Sequence, residues 1–215
     1  MTMLNNLVIS KVQGAFVRNC IALLGRAYEN LLVSGVVNHD MDENTISENL
    51  RKLMRKDPSP KGIVIAREQP IDDGNLLTSD QKADALPRID FQFEQSWGIL
   101  LPTFVFFMEA KNLYAKDFIK TGNNSMTSAK AYHKRYVETG VTYLLDGYYP
   151  PNSCLLGYVL EGIVSDAVKG VNVQLSSMLS SLDILLPAQS PNQNIAVYMS
   201  THSQGKMIKH LMLQF

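Results

Sequence analysis

The spacing of apolar residues predicts most of the elements. Over 11–34, Phe16, Cys20, Leu23, Leu24, Ala27, Leu31 and Leu32 recur at three- and four-residue steps, the period of an amphipathic helix. Gly35 follows as a stop signal. A second helix runs from about Asp42 to Arg55, with Ile46, Leu50, Leu53 and Met54 as its stripe and Thr45 with Glu48 as a capping box. Pro58 and Pro60 end it. The run KGIVIAR, 61–67, reads as a short strand, and 69–85, with Pro70, Asp73-Gly74 and Asp80, as a surface loop.

Alternation then takes over. In PRIDFQFE, 87–94, Ile89, Phe91 and Phe93 point one way and Arg88, Asp90, Gln92 and Glu94 the other. A turn at 95–98 leads to the strand 102–111, apolar through Phe104–Met108 and charged at its end. Residues 115–128 are polar, with Gly122-Asn123-Asn124 as a loop tip. A third helix covers 129–146, with Tyr132, Tyr136, Gly140 and Tyr143 on one stripe, closed by Asp146-Gly147 and blocked by Pro150-Pro151. A strand at 154–160, a helix at about 163–181, a loop framed by Pro187 and Pro191, and strands at 195–200 and 206–213 complete the chain. The order α-α-β-β-β-α-β-α-β-β predicts a mixed α/β sheet flanked by helices.

At 215 residues and 24.0 kDa the chain is expected to form a single domain. Its 46% hydrophobic and 19% charged residues exclude disorder and collagen-like repeats. Twenty basic and 20 acidic residues leave no net charge, so a general electropositive sheath for nucleic acid is excluded. Cys20 and Cys154 are too few for a disulfide framework and read as reduced core thiols. Asn5 and Asn6 interrupt what would be a secretory signal, and the apolar runs are of strand length, short of the ~20 residues of a membrane helix. The expectation is a cytoplasmic protein with no membrane contact.

The candidate chemistry gathers at the end of the apolar strand. Glu109 and Lys111, two apart, project from one face, and Ala110 from the other. Asp90 lies on the polar face of the preceding strand, its hairpin partner. Two carboxylates and an ammonium therefore converge. Hard oxygen ligands of this kind suit Mg²⁺, with Mn²⁺ as a substitute. A metal-bound water beside a lysine is a nucleophile for phosphodiester hydrolysis.

The arrangement Arg88-Ile89-Asp90-Phe91, then an apolar strand ending Glu109-Ala110-Lys111, resembles the PD-(D/E)xK nuclease superfamily, the restriction-endonuclease-like fold. The resemblance covers about 42–160, in core order αβββαβ, with an N-terminal helical extension, 1–41, and C-terminal additions, 161–215. It implies that Asp90 and Glu109 bind a divalent ion, that Ala110 offers its backbone carbonyl, and that Lys111 helps to activate water. Ile89 stands where the motif's proline would be, a common departure. The bare pattern recurs at Asp80-Gln81-Lys82, where no strand context supports it. The superfamily often adds a helix-borne glutamate. Glu29, Glu43 and Glu48 are the candidates, and Glu43 is the choice, although a carboxylate at a helix N-terminus also stabilises the macrodipole.

Further along, Tyr136-Val137-Glu138-Thr139-Gly140-Val141 with Tyr143, then Gly147-Tyr148-Tyr149 and Leu156-Gly157-Tyr158-Val159-Leu160, is similar to a pattern in nuclease-like proteins of bacterial antiviral defence. The tail from Tyr198 through His202 to His210 fits it too. The same glycines and tyrosines also serve helix–sheet packing. Between 111 and 135 a basic excess gives Lys116, Lys130, Lys134 and Arg135 as candidate phosphate contacts, or a solvated face. His39, His133, His202 and His210 have no zinc spacing, no GxxxxGK loop is present, and Ser200 with His202 lacks a nucleophile-elbow context. The expected function is a Mg²⁺-dependent nuclease acting on DNA, favoured over RNA, which stays open as a substrate, within a bacterial defence or restriction system. The alternative is an inactive nuclease-like scaffold subunit. Zero net charge implies a protein partner, such as an ATPase or sensor subunit, and leaves room for a homo-oligomer.

Overall fold

The computed structural model describes residues 6–58, 62–66, 69–70, 88–96, 102–121, 124–150, 152–180 and 182–215. Of the loop expected over 69–85, residues 71–85 with the Asp80-Gln81-Lys82 repeat fall outside them, while Gln69–Pro70 is a short strand; residues 97–98 of the turn expected at 95–98, Gly122-Asn123 and Pro151 also fall outside. Two helices come first: α1, Asn6–Ser34, and α2, Glu43–Lys56. The strands β1, Ile63–Ala66, β2, Gln69–Pro70, β3, Arg88–Ile89, β4, Phe91–Gln95, and β5, Phe104–Tyr114, follow. A small hairpin, β6, Phe118–Ile119, and β7, Met126–Thr127, stands in the stretch expected to be loop. Next are α3, Ala129–Tyr136, a π-helical turn, Val137–Val141, α4, Thr142–Leu145, β8, Ser153–Glu161, and α5, Val164–Met178. The chain ends with β9, Leu186–Ala188, β10, Ala196–Thr201, and β11, Met207–Gln214.

Seven strands make one mixed sheet in the order β1-β4-β5-β8-β11-β10-β9, with β5–β8 and β8–β11 parallel and the other pairs antiparallel. Helices cover both faces, as parallel central strands require. On one face α1 and α2 lay Phe16, Cys20, Leu24, Ile46, Leu50 and Met54 over the rings of Phe91, Phe93, Phe104 and Phe106. On the other, Tyr136, Val137, Val141, Val168, Val171 and Leu175 pack on Leu155, Val159 and Met212. Alternation along β8 divides it between the two cores: Cys154, Leu156 and Tyr158 face one, Leu155 and Val159 the other.

Several elements depart from the periodicity. α1 is long and apolar enough to cross a membrane by length and composition, a property that reading runs of strand length overlooked. Its buried positions, from Phe16 to Leu31, instead pack against this protein's own core. The cap of α2 is Asp42, whose carboxylate accepts from Thr45 N at 2.9 Å and Thr45 Oγ1 at 2.7 Å. Glu48 takes no part in a capping box and pairs with Arg51 at 3.0 Å. Pro187 lies inside β9 rather than in a loop. This is an edge strand, where a missing N–H costs no ladder bond. The helix expected over 129–146 contains the π turn, which holds Gly140 against Leu155, where an added Cβ would lie 3.3 Å from the leucine methyls.

Candidate active site

The site grows from a mismatch in strand length. β4 pairs with β5 only as far as Phe91↔Met108, whereas β5 continues to Tyr114 and keeps β8 on its other side. From Glu109 onward, one edge of β5 lacks the β4 ladder. Buried backbone N–H groups at such an edge need other acceptors. Asp90, at the bend between β3 and β4, accepts from Ala110 N at 2.8 Å. Glu43, in the first turn of α2, accepts from Asn112 N at 2.9 Å. Two carboxylates thus stand where a strand would be. Asn112 Nδ2 donates to Met41 O at 3.0 Å and Tyr114 Oη to His39 O at 3.2 Å, which ties the segment leading into α2 along the same edge.

Around this edge the charged groups are buried. Asp90 is 7%, Glu109 5% and Lys111 5% exposed, so the strand does not leave the core at its charged end. Lys111 Nζ donates to Glu109 Oε1 and lies 3.6 Å from Glu43 Oε1. Arg135, on α3, reaches Glu43 Oε1 at 3.7 Å. Glu109 Oε2 is buried without a hydrogen-bond partner. The Tyr149 hydroxyl stands beside this carboxylate, close enough to steady its charge, and also lies 3.2 Å from its acceptor Thr139 O. Arg51 holds the bend in place: its Nη1 donates to Asp90 O at 2.6 Å and its guanidinium lies 5.7 Å above the Phe91 ring.

The electrostatics follow from three carboxylates against one buried ammonium. Burial first, and the Glu109 charge second, push the Asp90 carboxyl up to about 8, against the pull of the Ala110 N–H and Lys111. Burial also raises Glu109, despite Lys111. For Lys111, burial favours the neutral amine, but Glu109, Glu43 and Asp90 together outweigh it and hold the ammonium above its ordinary value.

Of the residues singled out from sequence, Asp90, Glu109, Lys111 and Glu43 come together, and Ala110 sits between them. Ala110 directs its N–H to the open edge, and in a strand the carbonyl of the same residue points the same way. The basic candidates behave differently. Arg135 alone joins the cluster. Lys116 pairs with Glu161 at 2.9 Å, Lys134 with Glu138 at 3.4 Å, and Lys130 is exposed. Glu48 is taken up by Arg51 and Lys52, and Glu29 by the Asn194 amide. Sequence reading missed Arg51, Asn112 and Tyr149. Arg51, a lone cation within the apolar stripe of α2, was the available signal.

A second polar network lies at the other side of the sheet. Tyr136 Oη meets His210 Nδ1 at 2.9 Å, and Ser200 Oγ bridges His210 Nε2 at 2.8 Å and His202 Nε2 at 2.7 Å. Asp183 Oδ2 stands 3.4 Å from His202 Nδ1. Burial and the neighbouring His202 push His210 down to about 3, so it stays neutral. Ser200 is buried, tied to both imidazoles and not presented to solvent.

The oxygen donors at the β5 edge, Asp90, Glu109 Oε2 and the Ala110 carbonyl, are of the hard type that divalent cations take. Among the described residues no group of three or more His, Cys, Asp or Glu side chains is already arranged around a common point, and the Lys111 ammonium is the cation that the carboxylates hold. Comparison with family models, with curated proteins and with solved structures gave no match.

Proposed function

We propose that this protein is a metal-dependent nuclease whose site is Asp90, Glu109, Lys111 and Glu43 on a restriction-endonuclease-like core. The observation that carries the reading is the excess of acid at this edge: two buried carboxylates, Asp90 and Glu109, and the half-buried Glu43 against one buried ammonium. Burying a carboxylate without a counter-charge is costly, and a site that does so is matched to a cation. The run α2, β1, β4, β5, α3, β8 also supports the core order αβββαβ.

Mg²⁺ or Mn²⁺, held by Asp90, Glu109 and the Ala110 carbonyl, would supply a Lewis acid and a water of lowered pKa. Asp90 must lose its proton to act as a ligand, and cation and proton therefore compete for it. Lys111, protonated through neutral pH, offers charge and N–H donors to a phosphoryl oxygen; it orients and stabilises rather than removing a proton. Glu43 holds Lys111 and the β5 backbone in register, and exposed Arg135 marks the side from which a phosphate would approach. DNA is the proposed substrate. The proposed setting is a bacterial defence or restriction complex, with a partner that loads a chain of zero net charge onto it.

A second reading has its own observation. Asp90 and Glu43 already satisfy two backbone N–H groups of β5, so the cluster also serves as a structural plug, as in an inactive scaffold. Plasmid cleavage in Mg²⁺ by the chain with its partner complex separates the two. The nuclease reading expects loss of cleavage with Glu109→Ala and with Lys111→Ala. Equal function of the complex with Asp90, Glu109 and Lys111 all changed to Ala leaves the scaffold.

A further inference from the structure

Away from the acidic cluster, α1, Asn152 just before β8, the segment after β9 and Lys209 on β11 line an open groove of about 720 Å³. Its α1 wall is a stripe at helical spacing: Ser10, Gln13, Gly14, Val17, Arg18 and Ile21. Facing it are Asn152, Gln189, Ser190 and Lys209. The lining holds two cations and no carboxylate.

Two independent features indicate that the groove is kept open and charged. Lys209 sits on β11, an interior strand, on the face that buries Leu211 and Leu213. Its ammonium acts on the buried Cys154 thiol, and among the described residues neither half-buried Lys209 nor exposed Arg18 has a carboxylate within ion-pair distance. A half-buried cation without a partner costs stability that an apolar residue would not. Gly14 lies in the middle of α1, where alanine is more favourable by about 1 kcal/mol. Nothing in the packing demands a glycine: the only described atom within 4 Å of an added Cβ is Arg18 Nη1, at 3.5 Å. The guanidinium folds over the bare turn, and a longer side chain there would fill the groove.

We infer that this groove binds a phosphate group carried on a nucleotide-sized ligand. Arg18 and Lys209 supply two positive charges to a multi-oxygen anion, and Gln13, Asn152, Gln189 and the serines supply neutral donors to the rest of the ligand. The volume is within the ~300–1,000 Å³ range of small-molecule sites and exceeds what a bare ion needs. A mononucleotide and the 5′ end of a nucleic-acid strand present the same chemistry. The groove is separate from the acidic cluster, and its ligand does not depend on the nuclease reading.

The test is a titration of the full chain in EDTA with inorganic phosphate, a deoxynucleoside 5′-monophosphate and a 5′-phosphorylated oligothymidylate, followed by amide NMR shifts of Gly14 and Lys209. Binding of either nucleotide ligand with shifts at these residues is expected. At least a tenfold loss of affinity should follow in Arg18→Glu/Lys209→Gln, together with a flattening of the log K against log salt slope by roughly 0.7 for each phosphate no longer neutralised. Gly14→Leu, which leaves the charges in place and favours helix, should block binding with an unchanged or higher Tm. Oligonucleotide binding tighter than monophosphate identifies a strand end, and equal binding a small phosphoester. No binding, binding of inorganic phosphate as tight as that of both nucleotide ligands, or unchanged affinity in both groove variants overturns the inference.

Discussion

Asp90→Asn is the most informative single substitution, because it removes a carboxyl whose proton the fold retains up to about pH 8. An unfolded aspartate loses its proton near 3.9. Between those values the native chain binds a proton at Asp90 that the unfolded chain has released, so the stability this group contributes falls as pH rises. Below pH 4 both states are protonated and the effect is fully favourable; by pH 8 it is lost. The slope is at most about 1.4 kcal/mol per pH unit, and about four units set a ceiling of ~5–6 kcal/mol. Glu109 is raised as well, so the titration is shared by the pair and the slope is spread out. Asparagine has the same shape, carries no charge, and still accepts the Ala110 N–H through its Oδ1. Urea melts in EDTA at pH 5, 6.5 and 8 should show the variant gaining on wild type as pH rises, ahead by ~2 kcal/mol or more at pH 8, while the buried neutral His210 adds the same opposite slope to both. Adding Mg²⁺ at pH 8 should recover wild type and stabilise the variant less at the same concentration. Parallel stability curves from pH 5 to 8 would refute the account of a strained buried carboxylate.

Other outcomes follow from individual side chains. Phe93→Ala, which empties a fully buried ring position, should cost about 3–5 kcal/mol in thermal or urea melts. Ser200→Ala leaves His202 Nε2 and His210 Nε2 without their shared partner and should cost about 1–3 kcal/mol, while Ser200→Thr recovers part of it. Arg51→Met frees the Asp90 bend and should weaken divalent-cation affinity by about 10–100-fold, read by calorimetric titration. Gly170→Ala sets a Cβ 2.0 Å from His133 Cε1, so the packing between α3 and α5 must open, at about 1–3 kcal/mol in Tm-derived stability.

The sequence carried much of this through its periodicity. The helices and long strands lie close to where their apolar spacing puts them, because each buries one stripe or one face. Asp90, Glu109 and Lys111 could be placed near one another because strand alternation and a hairpin fix their directions. What escaped is set by tertiary neighbours. The strand β5 runs three residues past its charged end because Asn112 and Tyr114 anchor the segment before α2, a pairing of positions about 70 residues apart. Glu43 was one of three helical glutamates, and only the docking of α2 against the open edge distinguishes it. Pro187 argued for a loop until β10 offered it an edge. The π turn sets Gly140 against Leu155, a helix–strand contact that no local pattern encodes. The link between Ser200 and His210 is diagonal across the β10–β11 hairpin, so it needs the register Ser200↔Ile208 before it can be seen.

The claim that the buried acidic cluster is a cation site is tested most directly by Mn²⁺ titration of the purified chain, with bound ion counted by electron paramagnetic resonance at pH 7.5. The account predicts saturable Mn²⁺ binding that Mg²⁺ displaces. It should be lost in Glu109→Ala, weakened in Asp90→Asn, and retained in Lys111→Ala, where removal of the competing ammonium leaves the carboxylates free. Absence of saturable binding in wild type and in Lys111→Ala alike, or binding that survives Glu109→Ala unchanged, contradicts it.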